Sequence, residues 1–98
     1  MKQLSVSQEA AKWYMDEMDL EKGDYVQFFV KLYGGIPTVF PSYFLGISEG
    51  IEGNIAIQDE VEGITFYFNK EDSWFLDDHD LKVELKGDDP EFIFEERK

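Results

Sequence analysis

The stretch YVQFFVKLY, residues 25–33, decides the fold. Its even-numbered positions, 26 to 32, are all apolar, while the odd-numbered ones include the polar Gln27 and Lys31. A period of two places these sets on opposite faces of a β-strand, one of them buried. Gly34-Gly35 follows and ends the strand. The chain therefore contains at least one long, half-buried strand in its first third.

A helix is predicted before this strand. Ser7 is the expected N-cap, because Glu9 then lies in the first turn, where the helix dipole favours an acid. Ser5 with Gln8 forms an alternative capping box. An apolar stripe follows at helical spacing, and the turn residues from Glu21 onward place the helix end near residues 18–20.

The rest of the chain reads as short strands separated by turn residues. They are expected at residues 43–47, 55–57, 64–68, 81–85 and 91–94, with a short helical turn within 69–76. One helix followed by about six strands predicts a mainly β (α+β) fold of mostly antiparallel sheets that bury their apolar faces, with the N-terminal helix packed on them. With no linker or repeat in the sequence, residues 1–98 are expected to form a single domain.

Composition excludes several kinds of function. The formal net charge is −13, which repels nucleic-acid phosphates and anionic membrane surfaces. No apolar run approaches the roughly 20 residues that span a bilayer, and the first residues lack a signal-peptide pattern, so a cytoplasmic location is expected. The absence of cysteine excludes disulfides, thiolate metal sites and cysteine nucleophiles.

Three features in order resemble a known family: a short helix before a Phe/Val-rich strand ending in Gly34-Gly35, the segment WFLDDHDL at residues 74–81, and a terminal Phe92-Ile93-Phe94. This layout resembles the HesB-like, A-type iron–sulfur cluster assembly family, and most closely its small HesB/YneR branch. The resemblance implies a compact two-sheet β fold with one flanking helix, often dimeric or tetrameric.

The same resemblance implies three cysteine ligands that this chain lacks. The first aligned position is Ile36, which cannot ligate iron, and the C-terminal Cys-x-Cys has no counterpart because Lys98 follows Phe94 by four residues. The resulting hypothesis is a non-catalytic HesB-like protein, an interaction or accessory factor related to iron–sulfur cluster biosynthesis. Its expected partner is another protein or a second copy in a homodimer, and no cofactor is expected.

The loop after the strand at residues 25–33 is the candidate interaction site. Two interpretations stay open: its apolar residues form an exposed protein interface, or they fold back into the core under a long loop. The residues assigned to the interface are Tyr33, Ile36, Pro37, Val39, Phe40 and Tyr43.

The alternative hypothesis is a divalent-metal protein, with iron as the candidate ion. His79, the chain's one histidine, lies among carboxylates, and Asp77 and Asp80 are its proposed co-ligands. Adjacent residues of a strand point to opposite faces, however, so an exposed turn before the next strand is the competing interpretation. Ser42, Ser48 and Ser73 lack a nucleophile-elbow context, so the chain is not expected to be an enzyme.

Overall fold

Two β-sheets and one α-helix enclose the core in a computed structural model that describes residues 2–97. A three-stranded sheet has the order β1-β7-β8 and a five-stranded sheet the order β3-β4-β2-β6-β5. The mainly β architecture with two sheets and one α-helix is therefore confirmed. The elements are β1 (Leu4–Val6), α1 (Gln8–Met18), β2 (Tyr25–Lys31), β3 (Ile36–Pro37), β4 (Phe44–Glu49), β5 (Ile55–Val61), β6 (Ile64–Asn69), a 3-10 helix (Ser73–Leu76), β7 (His79–Lys86) and β8 (Asp89–Glu96).

The helix begins where its N-cap predicts. Ser7 Oγ accepts the Ala10 backbone N–H at 3.1 Å, which satisfies one of the unpaired donors of the first turn. Asp19 follows the last helical residue in the left-handed conformation, and its backbone N–H is bonded to the Met15 carbonyl. The predicted Ser7 cap and the helix end near residue 18 are both confirmed.

The core lies between the sheets and is rich in phenylalanine. Phe28 on β2 stacks on Phe66 of β6 and meets Phe92 of β8 edge-on at a centroid distance of 5.6 Å. Tyr14 of α1 is buried and contacts the Phe66 ring. The inward face of β2 was predicted from its period-two pattern. Through Phe28 and Phe66 it packs against the other sheet and the helix.

Two strands, β1 and β3, were not predicted from the sequence. β1 spans three residues within the stretch that reads as a helix start, and β3 spans two residues of the predicted loop. Segments of two or three residues are too short to show an alternation of apolar and polar side chains. Only their pairing with other strands identifies them as strands. Four of the six strand pairings among residues 2–97 are antiparallel, as expected, and the two parallel ones join β1 to β7 and β2 to β6.

Within residues 2–97, none of the helical segments has the length and apolar character that crossing a bilayer demands.

Candidate protein-interaction surface

Several chain segments meet at one end of the five-stranded sheet. β2 ends at Lys31 opposite Phe44, where β4 begins, because the two strands are antiparallel. β6 is parallel to β2 and therefore ends at the same side, at Asn69. The 32–43 loop and the 3-10 helix follow from these strand ends. Asp72, directly before the 3-10 helix, contacts the end of β2, because its Oδ2 accepts the Val30 N–H at 3.4 Å.

The 32–43 loop is shaped by two glycines and one hydroxyl. Gly34 and Gly35 have φ values of 66° and 127°, and a Cβ on Gly35 would lie 2.7 Å from the Leu45 carbonyl oxygen. Thr38 Oγ1 accepts the Phe40 N–H at 3.1 Å and donates to the Tyr43 carbonyl at 2.9 Å. These bonds fix the turn that presents residues 39–41.

An aromatic cluster packs against this loop on its core side. The ring centroids of Phe40 and Phe75, a residue of the 3-10 helix, are 4.8 Å apart. Tyr43 meets Trp74 edge-on, with ring centroids 5.5 Å apart. Phe75 is fully buried, whereas 42% of the Trp74 surface is exposed. The cluster therefore passes continuously from the core to the surface.

Four large apolar side chains are exposed at this end: Leu32 (59%), Tyr33 (88%), Val39 (44%) and Trp74 (42%). We call them, with the exposed Pro37 and the supporting Ile36, Phe40 and Tyr43, the aromatic end. Exposed apolar side chains at one end of a sheet, Trp and Tyr among them, are typical of protein-binding surfaces.

The structure divides the six predicted interface residues between the two interpretations. Tyr33, Pro37 and Val39 are exposed, as the interface interpretation requires. Ile36, Phe40 and Tyr43 are half-buried and pack against the core, as the competing interpretation requires. The sequence analysis missed Leu32 and Trp74 as surface residues. The position of Trp74 in a short segment flanked by acids is the sequence signal that could have identified it.

Acidic residues flank the aromatic end. Glu71, Asp77 and Asp78 are exposed, and none of the ion pairs found within residues 2–97 involves them. Asp72 is partly withdrawn from water. Burial raises the pKa of its carboxyl, the Val30 N–H opposes that shift, and the neighbouring Glu71 charge adds to it.

The proposed metal ligands do not converge. His79 is turned inward against Phe40, with ring centroids 5.9 Å apart, and its Nδ1 is buried without a hydrogen-bond partner in the described part of the chain. Asp80 projects from the opposite face of β7 and binds Arg97, whose Nη2 lies 2.7 Å from Oδ1. Asp77 is exposed, and its carbonyl accepts a further Arg97 bond.

The metal hypothesis is consequently wrong for the residues on which it was based. Across residues 2–97, no group of three His, Asp or Glu side chains is placed to hold an ion. The physical reason is strand periodicity, because His79 and Asp80 are adjacent on β7 and point to opposite faces.

Comparison with known proteins relates this chain to a family other than the HesB-like family that its motifs resemble. No family model matches the chain. The chain is 38% identical over 92 residues to a Bacillus subtilis (strain 168) protein named "Pyruvate dehydrogenase inhibitor", covering 94% of this chain and 96% of that protein. It is 30% identical over 88 residues to an uncharacterized Staphylococcus saprophyticus protein, covering 85% and 87% of the two chains. An uncharacterized Staphylococcus haemolyticus protein is 27% identical over 100 residues.

These findings overturn the HesB-like assignment and the function derived from it, an accessory role in iron–sulfur cluster biosynthesis. The assignment depended on short motifs, such as Gly34-Gly35 and Phe92-Ile93-Phe94, which recur wherever strands end or alternate. An identity distributed along nearly the whole length of two proteins is more specific than such motifs. The chain belongs to the family of the Bacillus subtilis pyruvate dehydrogenase inhibitor.

Proposed function

We propose that this chain binds pyruvate dehydrogenase and inhibits it. The observation that carries the proposal is the 38% identity to the Bacillus subtilis inhibitor, which extends over 94% of this chain and 96% of that protein. Inhibition by binding requires a contact surface and no catalytic residues of its own. We therefore propose a non-catalytic protein that needs no cofactor and acts on its partner in the cytoplasm.

We assign the contact to the aromatic end. Tyr33, Pro37 and Val39 would touch the partner together with Leu32 and Trp74, all of them exposed. The half-buried Ile36, Phe40 and Tyr43 would hold these side chains in place from the core side. Trp and Tyr are the residues most often found to dominate binding energy, because they bury large areas with few rotatable bonds.

The charges around the aromatic end indicate the chemistry of the partner surface. Glu71, Asp77 and Asp78 are exposed at its rim, in a chain of net charge −13. A complementary surface would carry lysine or arginine around an apolar centre. Rim charges act mainly on the association rate and are screened by salt, so binding should slow as ionic strength rises.

The test is the rate of pyruvate oxidation by purified Bacillus subtilis pyruvate dehydrogenase as the chain is added. We expect the wild-type chain to lower the rate at saturation, and Trp74→Ala to raise the half-inhibitory concentration about tenfold or more. Leu32→Asp should act in the same direction. Its matched control is Ile51→Asp, because Leu32 and Ile51 are similar in size and are 59% and 58% exposed.

The possible outcomes test the inhibitor function and the assignment of the contact to the aromatic end separately. A wild-type chain that leaves the oxidation rate unchanged at all concentrations would reject the inhibitor function. Inhibition that Trp74→Ala and Leu32→Asp leave intact, or that Ile51→Asp weakens equally, would keep the function and reject the aromatic end as the contact.

A further inference from the structure

The outward face of the five-stranded sheet differs from the rest of this acidic molecule. Cross-strand partners share a face, so the register identifies the residues that point away from the core. Most of them are uncharged, although the chain carries a net charge of −13. They are Tyr25, Gln27, Phe29, Lys31, Pro37, Phe44, Gly46, Ser48, Ile55, Gln58, Glu60, Thr65, Tyr67 and Asn69.

A shallow apolar area lies on strands β2 and β4 of this face. A Cβ on Gly46 would collide with the Phe29 ring and would be 2.7 Å from Lys31 Cδ, so both side chains lie across β4. Phe44 is paired with Lys31 and is half-buried. We call Phe29, Lys31, Phe44 and Gly46 the β2–β4 patch. It presents two aromatic rings and one cation.

A raised segment, residues 50–54, crosses the other half of the same face. The Tyr67 hydroxyl donates to the Gly50 carbonyl at 2.9 Å and accepts the Glu52 N–H at 2.9 Å, which holds the segment over β6. Tyr67 is completely buried as a result. Ile51 is 58% exposed and Glu52 is also exposed, so this segment presents one aliphatic side chain and one anion.

We propose that this face binds a second copy of the chain, in a two-fold dimer where segment 50–54 of each copy lies on the β2–β4 patch of the other. Ile51 would contact Phe29 and Phe44. Glu52 would pair with Lys31. In a two-fold interface the same surface occurs on both sides, so every contact is made twice.

Charge favours a second copy as the occupant of this face. Two molecules of charge −13 repel each other wherever their acidic surfaces meet. On this face the cation Lys31 lies opposite Phe44, where β4 begins, whereas the segment that carries the anion Glu52 follows the end of β4. The two charges therefore lie at opposite ends of β4, which makes the face complementary to itself. The outward face of the other sheet is unsuitable, because its Lys82 and Lys86 are already paired with Glu95 and Glu91 of the same chain.

The test is the dimer dissociation constant of the purified chain, measured by sedimentation equilibrium. We expect a concentration-dependent dimer in the wild type. Lys31→Glu and Glu52→Lys should each raise the dissociation constant about tenfold or more, since each places like charges together twice. The double variant restores the pairing with reversed signs and should return close to the wild-type value.

Ile51→Asp gives an independent reading, because an exposed side chain can be exchanged without disturbing the core. We expect it to weaken the dimer, while Leu32→Asp at the aromatic end leaves it unchanged. Circular dichroism checks that each variant is folded. A wild-type chain that stays monomeric at all measured concentrations would overturn the proposal. So would a dimer that is indifferent to Ile51→Asp, or a double variant as weak as the single ones.

Discussion

The Asp59 carboxylate joins the two sheets by accepting the backbone N–H of Val6 at 2.9 Å. Val6 belongs to β1 of the three-stranded sheet, and Asp59 belongs to β5 at the edge of the five-stranded sheet. Asp59 is only 5% exposed, and its other oxygen lies 2.6 Å from the Lys2 ammonium. β1 is an edge strand, so no strand within residues 2–97 pairs with its free side. The buried Asp59 carboxylate takes the place of such a strand as the acceptor for the Val6 N–H.

We expect Asp59→Ala to lower the free energy of unfolding by about 1–3 kcal/mol, because the Val6 N–H would remain buried without an acceptor. Asp59→Asn should cost less, since the amide oxygen can still accept that bond. Urea unfolding measures both. Lys2→Ala is the control: Lys2 is 67% exposed, so losing the ion pair should cost little. An equal loss in Lys2→Ala would mean that the ion pair, not the Val6 bond, holds the sheets together.

The two loop glycines should respond differently to alanine. Gly34→Ala meets open space at φ 66° and should cost about 1 kcal/mol, the usual penalty of a left-handed residue with a side chain. Gly35→Ala combines φ 127° with a contact of 2.7 Å to the Leu45 carbonyl oxygen, a backbone atom that cannot turn aside. We expect it to cost about 3 kcal/mol and to disturb the β3–β4 pairing. Thermal unfolding of the matched pair checks this, and equal costs would contradict it.

The sequence predicted the parts of the fold that depend on long local patterns. The alternation of residues 25–33 defined β2, and the Ser7 cap defined the start of α1. Strands β1 and β3 could not be predicted, because each is stabilised by residues far away in the chain, as Leu4 is by Leu81. Surface exposure is equally non-local: Phe40 and Trp74 are both aromatic, and only the position of the 3-10 helix decides which of them reaches solvent.

Asp72 should make stability depend on pH in a direction opposite to that of a salt-bridged acid. Burial raises its pKa in the folded state above the ordinary value of 3.8, so the folded protein holds this proton more tightly than the unfolded chain. Its contribution is therefore most favourable below the unfolded pKa and declines as pH rises through the folded pKa.

Asp72→Asn removes this dependence and keeps an oxygen that can accept the Val30 N–H. We expect the variant to gain stability relative to wild type as pH rises from about 4 towards neutrality. Unfolding free energies measured across that range test the sign. Glu71→Gln should give a smaller effect in the same direction, because its charge is a lesser cause of the shift. A variant that loses relative stability as pH rises would show that the ionised carboxylate is favourable where it lies.

Arg97 connects the end of β8 to the aromatic end. Its guanidinium donates to the Leu76 carbonyl at 2.8 Å and the Asp77 carbonyl at 2.7 Å, where the 3-10 helix ends, and to the Asp80 carboxylate. Arg97→Ala should cost about 1.5–3 kcal/mol, because carbonyls and a carboxylate lose a charged donor together. It should also loosen the 3-10 helix that carries Trp74. Arg97→Lys keeps the charge but not the planar fork, so it should recover only part of the loss.

The chain has two tryptophans, Trp13 and Trp74, so Trp13→Phe leaves Trp74 as the sole indole fluorophore. Its emission separates the loss of stability from the loosening of the 3-10 helix. We expect a red shift of its emission in Arg97→Ala, smaller in Arg97→Lys, with the fold otherwise intact by circular dichroism. A stability loss without a change in Trp74 emission would mean that Arg97 anchors β8 alone. The aromatic end would then owe its geometry to Phe40 and Tyr43, which contact Trp74 directly from the 32–43 loop.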